Sequence, residues 1–165
     1  MFYDKFMSQG IMKNFPNAAP EQALWSHRRE YFAYYVGQAL GDEFGGSSTN
    51  QTRILELELE RAFCAGAWVA CIVLACAAGE VYLHAKGEKR EAKFLKKYKL
   101  REEWMALEKL RNRIVHNSDE LSYDEYMNSP DELEKKAHIA IQTALKVILL
   151  GTREELADSI KKDQT

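Results

Sequence analysis

Apolar residues along this chain recur mostly three and four positions apart, the spacing of one face of an α-helix. Strand-like alternation is nearly absent. The spacing predicts a first helix from near Pro20, "PEQALWSHRREYFAYYVGQAL", with proline early, where its missing N–H is not needed. Trp25, Phe32, Tyr35 and Val36 form its apolar side, with Tyr31 and Tyr34 at the margin. "GDEFGGSSTN", residues 41 to 50, is the clearest break. A long helix is predicted from about Gln51 to Ala85, closed by "KGEK". Its opening "ILELELE" is a strand pattern in isolation, but continuity with the Ala-rich run that follows favours helix. A basic helix, "EKREAKFLKKYKL", leads into or joins another in which Leu100, Trp104, Leu107, Leu110 and Ile114 share a face. Asn117 is suited to close that helix in a left-handed cap. "SDELSYDEYMN" reads as a loop or short turn. "SPDE" then starts the last long helix, with Ser129 as N-cap, Pro130 first and Glu132 completing a capping box. Gly151 is expected to stop it after Leu150, leaving residues 152–165 as a short C-terminal helix and tail. The prediction is one all-α domain over residues 1–165, a four- to five-helix bundle preceded by an N-terminal segment, 1–19.

Composition agrees with a folded domain. The chain has 165 residues, 46% hydrophobic and 29% charged, enough for a real core. Net charge is −2, unevenly spread. Residues 86 to 113 carry eleven Lys/Arg against five Glu, a local +6, while the first 85 residues sum to −3 and the last 52 to −5. A local basic surface can meet phosphates even on a nearly neutral protein. A solvated helix face laced with Glu–Lys pairs has the same composition. Cys64, Cys71 and Cys76 lie in one predicted helix, odd in number and among apolar neighbours, which fits buried reduced thiols of a cytoplasmic protein. "MFYDKFMSQG" lacks the basic-then-apolar order of a signal peptide. Residues 62 to 79 are eighteen uncharged residues, the lower limit for spanning a bilayer. Twelve of them are Ala, Gly or Cys, however, and Arg61 and Glu80 bound the run. Small residues on all sides describe a central bundle helix, so no membrane partner is expected.

Two charges stand where the pattern asks for core residues. At about 100° per residue, Arg111 falls near the middle of the apolar arc set by Leu107 and Ile114. Glu80 has Val73, Cys76, Ala77 and Leu83 around its face. Buried charges are seldom left alone, so Glu80 and Arg111 are expected to face each other inside the bundle. A purely structural ion pair, or an Arg111 that snorkels outward along its stem, would satisfy the same pattern. His116 falls on a different face, with Lys109, Asn112 and Arg113.

Arg111, Asn112, Arg113, Ile114, Val115 and His116 read R-N-x-x-x-H near a helix end. This resembles the R-x(4–6)-H signature of HEPN domains, an all-helical family of nucleotide binders and metal-independent ribonucleases that commonly places a polar residue directly after the Arg. Many members also carry an Ala-rich helix ending in a Glu before the motif, and "GAWVACIVLACAAGEVYLH" is similar to that helix, with Glu80 at the acidic position. The resemblance covers about residues 51 to 150. It implies a catalytic set of Arg111, Asn112, His116 and Glu80, with Lys109 and Arg113 on substrate phosphates. It also implies an RNA substrate, a homodimer in which two motifs face one cleft, no cofactor or metal, and a setting in toxin–antitoxin or phage-defence systems with a possible antitoxin protein. The residue types suit that chemistry. Histidine titrates near neutrality and can serve as acid or base, and a guanidinium can stabilise charge developing on a phosphate. Family toxins silenced by AMP transfer carry a Tyr two residues after the His. Ser118 stands there in this chain, so that regulation is not expected. The rival readings are a catalytically silent HEPN module that binds nucleotide or a protein partner, and a small interaction protein whose Arg–Glu pair only fixes packing.

Other candidates are weaker. His84, four after Glu80, would be half of a metal site with nothing to complete it. His27 reads as a surface residue and His138 as a packed one. "HRREYFAYY" interleaves basic and aromatic residues as RNA-stacking surfaces do, but bundle packing is the preferred reading.

Overall fold

The computed structural model describes residues 22–40, 49–116 and 130–163. Within them the chain is all-helical, with six helices: α1 (Gln22–Leu40), α2 (Asn50–Ala65), α3 (Trp68–Lys86), α4 (Glu88–Lys97), α5 (Arg101–Val115) and α6 (Pro130–Asp163). Pro20, Asn117, Ser118 and Ser129, singled out in the sequence, lie outside the described residues.

The pattern predicts one long helix over 51–85, and the chain forms two, α2 and α3. Gly66 takes φ +73° and ends α2, its N–H bonding back to Phe63 O at 3.0 Å while Ala67 N–H reaches Ala62 O at 2.9 Å. Glycine enters this left-handed region without the Cβ penalty that other residues meet. Arg28 of α1 reinforces the break. It donates to Cys64 O at 3.3 Å, satisfying a carbonyl at the helix end, and its guanidinium lies 4.7 Å from the Trp68 ring centre. The opposite error occurs at Gly151, where α6 continues to Asp163 without a stop. Residues 152–163 therefore extend α6 rather than forming a separate short helix. Glycine inside a helix costs about 1 kcal/mol, and "TREELADSIKKD" contains no proline to add to it.

"ILELELE" is helical, as continuity required. Thr49 caps α2, its hydroxyl accepting from Thr52 N–H at 3.1 Å. Because apolar residues of period two are wound on a helix of period 3.6, Leu59 points inward while Ile54 and Leu57 are exposed.

α3 is the central helix and packs against α2, α4, α5 and α6, its most extensive partner being α6. Cys71, Ile72, Ala75, Cys76, Ala78, Tyr82 and Leu83 face the core. Gly79 is there for space, since a Cβ on it would collide with the six-membered ring of Trp104 from α5. Trp68–Ala85 is, among the described residues, the one stretch long and apolar enough to cross a membrane. No residue of α3 before His84 is exposed, so its apolar surface is taken up at least in part by neighbouring helices. α1 rests on α2 and α6 through Phe32, Phe63 and an aromatic group around His138.

Candidate active site

α5 holds the motif residues in two sectors. On its inner side, the Arg111 guanidinium donates to Glu80 Oε1 of α3, so the predicted pair forms. Arg111 also lies against the Cys76 thiol. Hydrogen bonding to that thiol, with Glu80 adding to it, raises the Arg111 pKa and holds it charged. Burial in turn pushes the Cys76 thiol up to about 11, with Arg111 offsetting part of the rise.

The pair is shallower than the apolar pattern implied. Side-chain exposure is 24% for Arg111 and 41% for Glu80, so it sits at the margin between α3 and α5, not in the interior. The reason is the position of Glu80. The core-facing arc of α3 runs through Cys76, Gly79 and Leu83, and Glu80 lies on the flank of that arc. A carboxylate with an enclosed oxygen exists elsewhere. Glu56 Oε1 of α2 is buried without a hydrogen bond, and burial raises that carboxyl despite the nearby Arg53. The alternation around Glu56 hid this in the sequence, because all three acids of "ELELE" look equally solvated.

The outer sector carries His116, which ends α5 as its C-cap, its N–H bonding to Asn112 O at 2.9 Å. His116, Asn112 and Lys109 are exposed and Arg113 is half-buried. Together with Met105 and Glu108 they line a shallow surface depression. Arg111 is not part of it. The two motif ends point about 140° apart around the helix, so one chain does not bring Arg111 and His116 onto a common atom. Met105, part of that lining, and Val115, next to His116 in the chain, are exposed at 56% and 51%.

His138 is half-buried among Tyr35, Phe63 and Trp68, with Tyr35 Oη bonded to its Nδ1 at 2.7 Å. It serves packing, as expected. His84 and His27 are exposed. Among the described residues no three His, Cys, Asp or Glu side chains gather as a metal site.

The outer sector can supply acid–base chemistry from His116 beside cationic and amide donors, and the inner sector fixes a guanidinium one turn away. Searches of family models, curated proteins and solved structures find no match to this chain.

Proposed function

We propose that the protein is a dimeric, metal-independent endoribonuclease of HEPN type. One observation carries this reading. An exposed imidazole ends the helix whose preceding turn holds an arginine fixed by a carboxylate from an Ala-rich partner helix. Each chain then presents half a site, and a second copy across a two-fold axis supplies the other half. His116 takes the proton from an RNA 2′-hydroxyl, whose oxygen attacks the adjacent phosphorus. The P–O5′ bond breaks, and the departing oxygen takes a proton from the same histidine of the second copy. The products are a 2′,3′-cyclic phosphate and a 5′-hydroxyl. Asn112, one turn before His116, orients the imidazole or the phosphate. Lys109 and Arg113 supply positive charge to the RNA backbone, and Arg111 stabilises the charge that builds on the phosphoryl oxygens.

A silent binding module is the second reading, and the engagement of Arg111 by Glu80 and Cys76 favours it, because a guanidinium so occupied serves architecture without chemistry. Labelled tRNA and mRNA incubated with the purified protein separate the two. The nuclease reading expects fragments ending in cyclic phosphate, a rate unchanged by EDTA, and a loss of about 10²-fold or more in His116→Ala. That variant should stay within about 1 kcal/mol of wild-type stability, since His116 is exposed. Undiminished cutting by His116→Ala, or cutting abolished by EDTA, sinks the mechanism.

A further inference from the structure

The aromatic run of α1 is only partly used by packing. Phe32 is buried and Tyr35 half-buried, but Tyr31 and Tyr34 are 46% and 58% exposed. Their rings are not scattered. His27 meets Tyr31 edge-on at 5.0 Å between ring centres, Tyr31 is 6.4 Å from Tyr35, and Tyr34 is 6.1 Å from Tyr35. The row ends in a cavity of about 300 Å³ between α1 and α6, lined by Tyr34, Tyr35, Gln38, Gln142 and Lys146. That volume is at the lower end of small-ligand pockets.

The lining has a specific chemistry. Tyr35 is a fixed wall, its hydroxyl bonded to His138 Nδ1 at 2.7 Å. Tyr34 offers an open ring. Gln38 and Gln142 are exposed carboxamides, each with donors and an acceptor able to read the edge of a planar heterocycle. Lys146 stands at the rim and pairs with Glu103 at 3.1 Å. Both ends of that pair are close to half exposed, so exchanging the carboxylate for a phosphate costs little. Ring, amide edge and ammonium together match a nucleotide, with the base stacked on Tyr34, its edge on the glutamines and its phosphate on Lys146.

We propose that this α1–α6 cavity is a nucleotide subsite, occupied by one base of a single-stranded RNA whose scissile phosphate lies at His116. The RNA source rests on the ribonuclease reading, whereas the nucleotide chemistry does not. Glu103 is thirteen residues before His116 on α5, so the subsite lies about 20 Å along the helix from the cleavage position. A strand held at both points is selected for being unpaired, because a base inside a duplex cannot stack on Tyr34.

Fluorescence anisotropy with a labelled single-stranded oligoribonucleotide, and calorimetry with AMP and GMP, test this on the full chain. Tyr34→Ala and Lys146→Ala should each weaken oligonucleotide binding about fivefold or more, Tyr34→Phe should keep it, and added salt should weaken the wild type. Circular dichroism of each variant should match wild type, since both positions are solvent-reachable. In a His116→Ala background, where nothing is cut, Tyr34→Ala and Lys146→Ala should still lower oligonucleotide binding by the same factors. If no RNA is cut but Tyr34→Ala still loses oligonucleotide or mononucleotide binding, the subsite stands and the nuclease reading falls. Binding of both oligonucleotide and mononucleotides that ignores Tyr34 and Lys146 overturns the subsite, even if His116-dependent cleavage is found.

Discussion

Glu80 and Arg111 pair at the margin between α3 and α5, where water reaches both side chains. Two charges of opposite sign, each misplaced on its own helix, are enough to suggest a pair, and the pair forms. Its depth was not legible, because an angular position on one helix says nothing of how closely a neighbour covers it. The energetic consequence changes accordingly. A fully buried pair costs about 3–5 kcal/mol when one partner is removed, and an exposed one about 0–1. With exposures of 24% and 41%, Glu80→Ala should cost about 1–2 kcal/mol in urea unfolding; a loss above 3 would show the site closed to solvent. The thiols give a second residue-scale test. Burial pushes the Cys71 thiol from its ordinary 9.0 up to about 12. In the unfolded chain the thiol ionises near pH 9, while in the folded chain it stays protonated. Its contribution to stability is therefore whole below pH 9 and is lost as pH rises from 9 toward 12. The slope approaches about 1.4 kcal/mol per pH unit. Cys71→Ala should show a flatter decline in unfolding free energy between pH 9 and 11 than wild type, and parallel declines would mean that water reaches the sulfur.

At the scale of elements, the Ala-, Gly- and Cys-rich composition of α3 correctly marked it as the helix others approach closely. At Gly79 the approach is so close that a Cβ would collide with the Trp104 ring. Replacing Gly79 by Ala gains about 1 kcal/mol of helix propensity, but the new Cβ must displace a large ring in a filled core, which costs about 1–3 kcal/mol. The clash should win, giving a net destabilisation of about 1 kcal/mol in thermal unfolding together with a changed near-ultraviolet signal from Trp104. An unchanged or raised melting temperature would show that Trp104 swings aside freely. Glycines elsewhere were harder to read. Gly66 ends a helix and Gly151 does not, although both follow apolar helical runs. The difference is tertiary. After Gly66 the chain must fold back so that α3 lies on α2, and Arg28 anchors the corner. Nothing within "CAGAW" announces that need.

For the whole molecule, the all-helical class followed from periodicity and the central helix from its small-residue composition, while the number of helices, six among the described residues, did not. Assembly is the property on which the proposed chemistry depends, since Arg111 and His116 diverge within one chain. A two-fold dimer with both His116 side chains near its axis would also cover Met105 and Val115. Light scattering at micromolar concentration should give twice the 19.0 kDa chain mass. Met105→Glu should shift the protein toward monomer and reduce cleavage together with it. A wild-type monomer that cuts RNA would remove the need for a composite site.

The covering of α3 by α6 has a consequence during synthesis. α3 is complete at residue 86 and its main cover only at about residue 150, so some 65 residues separate the two. At about 5–20 residues per second, that interval lasts roughly 3–13 s. Throughout it, an eighteen-residue window of mean hydropathy 1.6 stands without the surface that later shields it. The unfinished chain thus leaves apolar surface of α3 open until α6 is made, the condition under which partly folded chains associate wrongly. Pauses in translation between codons 86 and 150 would therefore lower the yield of folded protein without altering a single side chain.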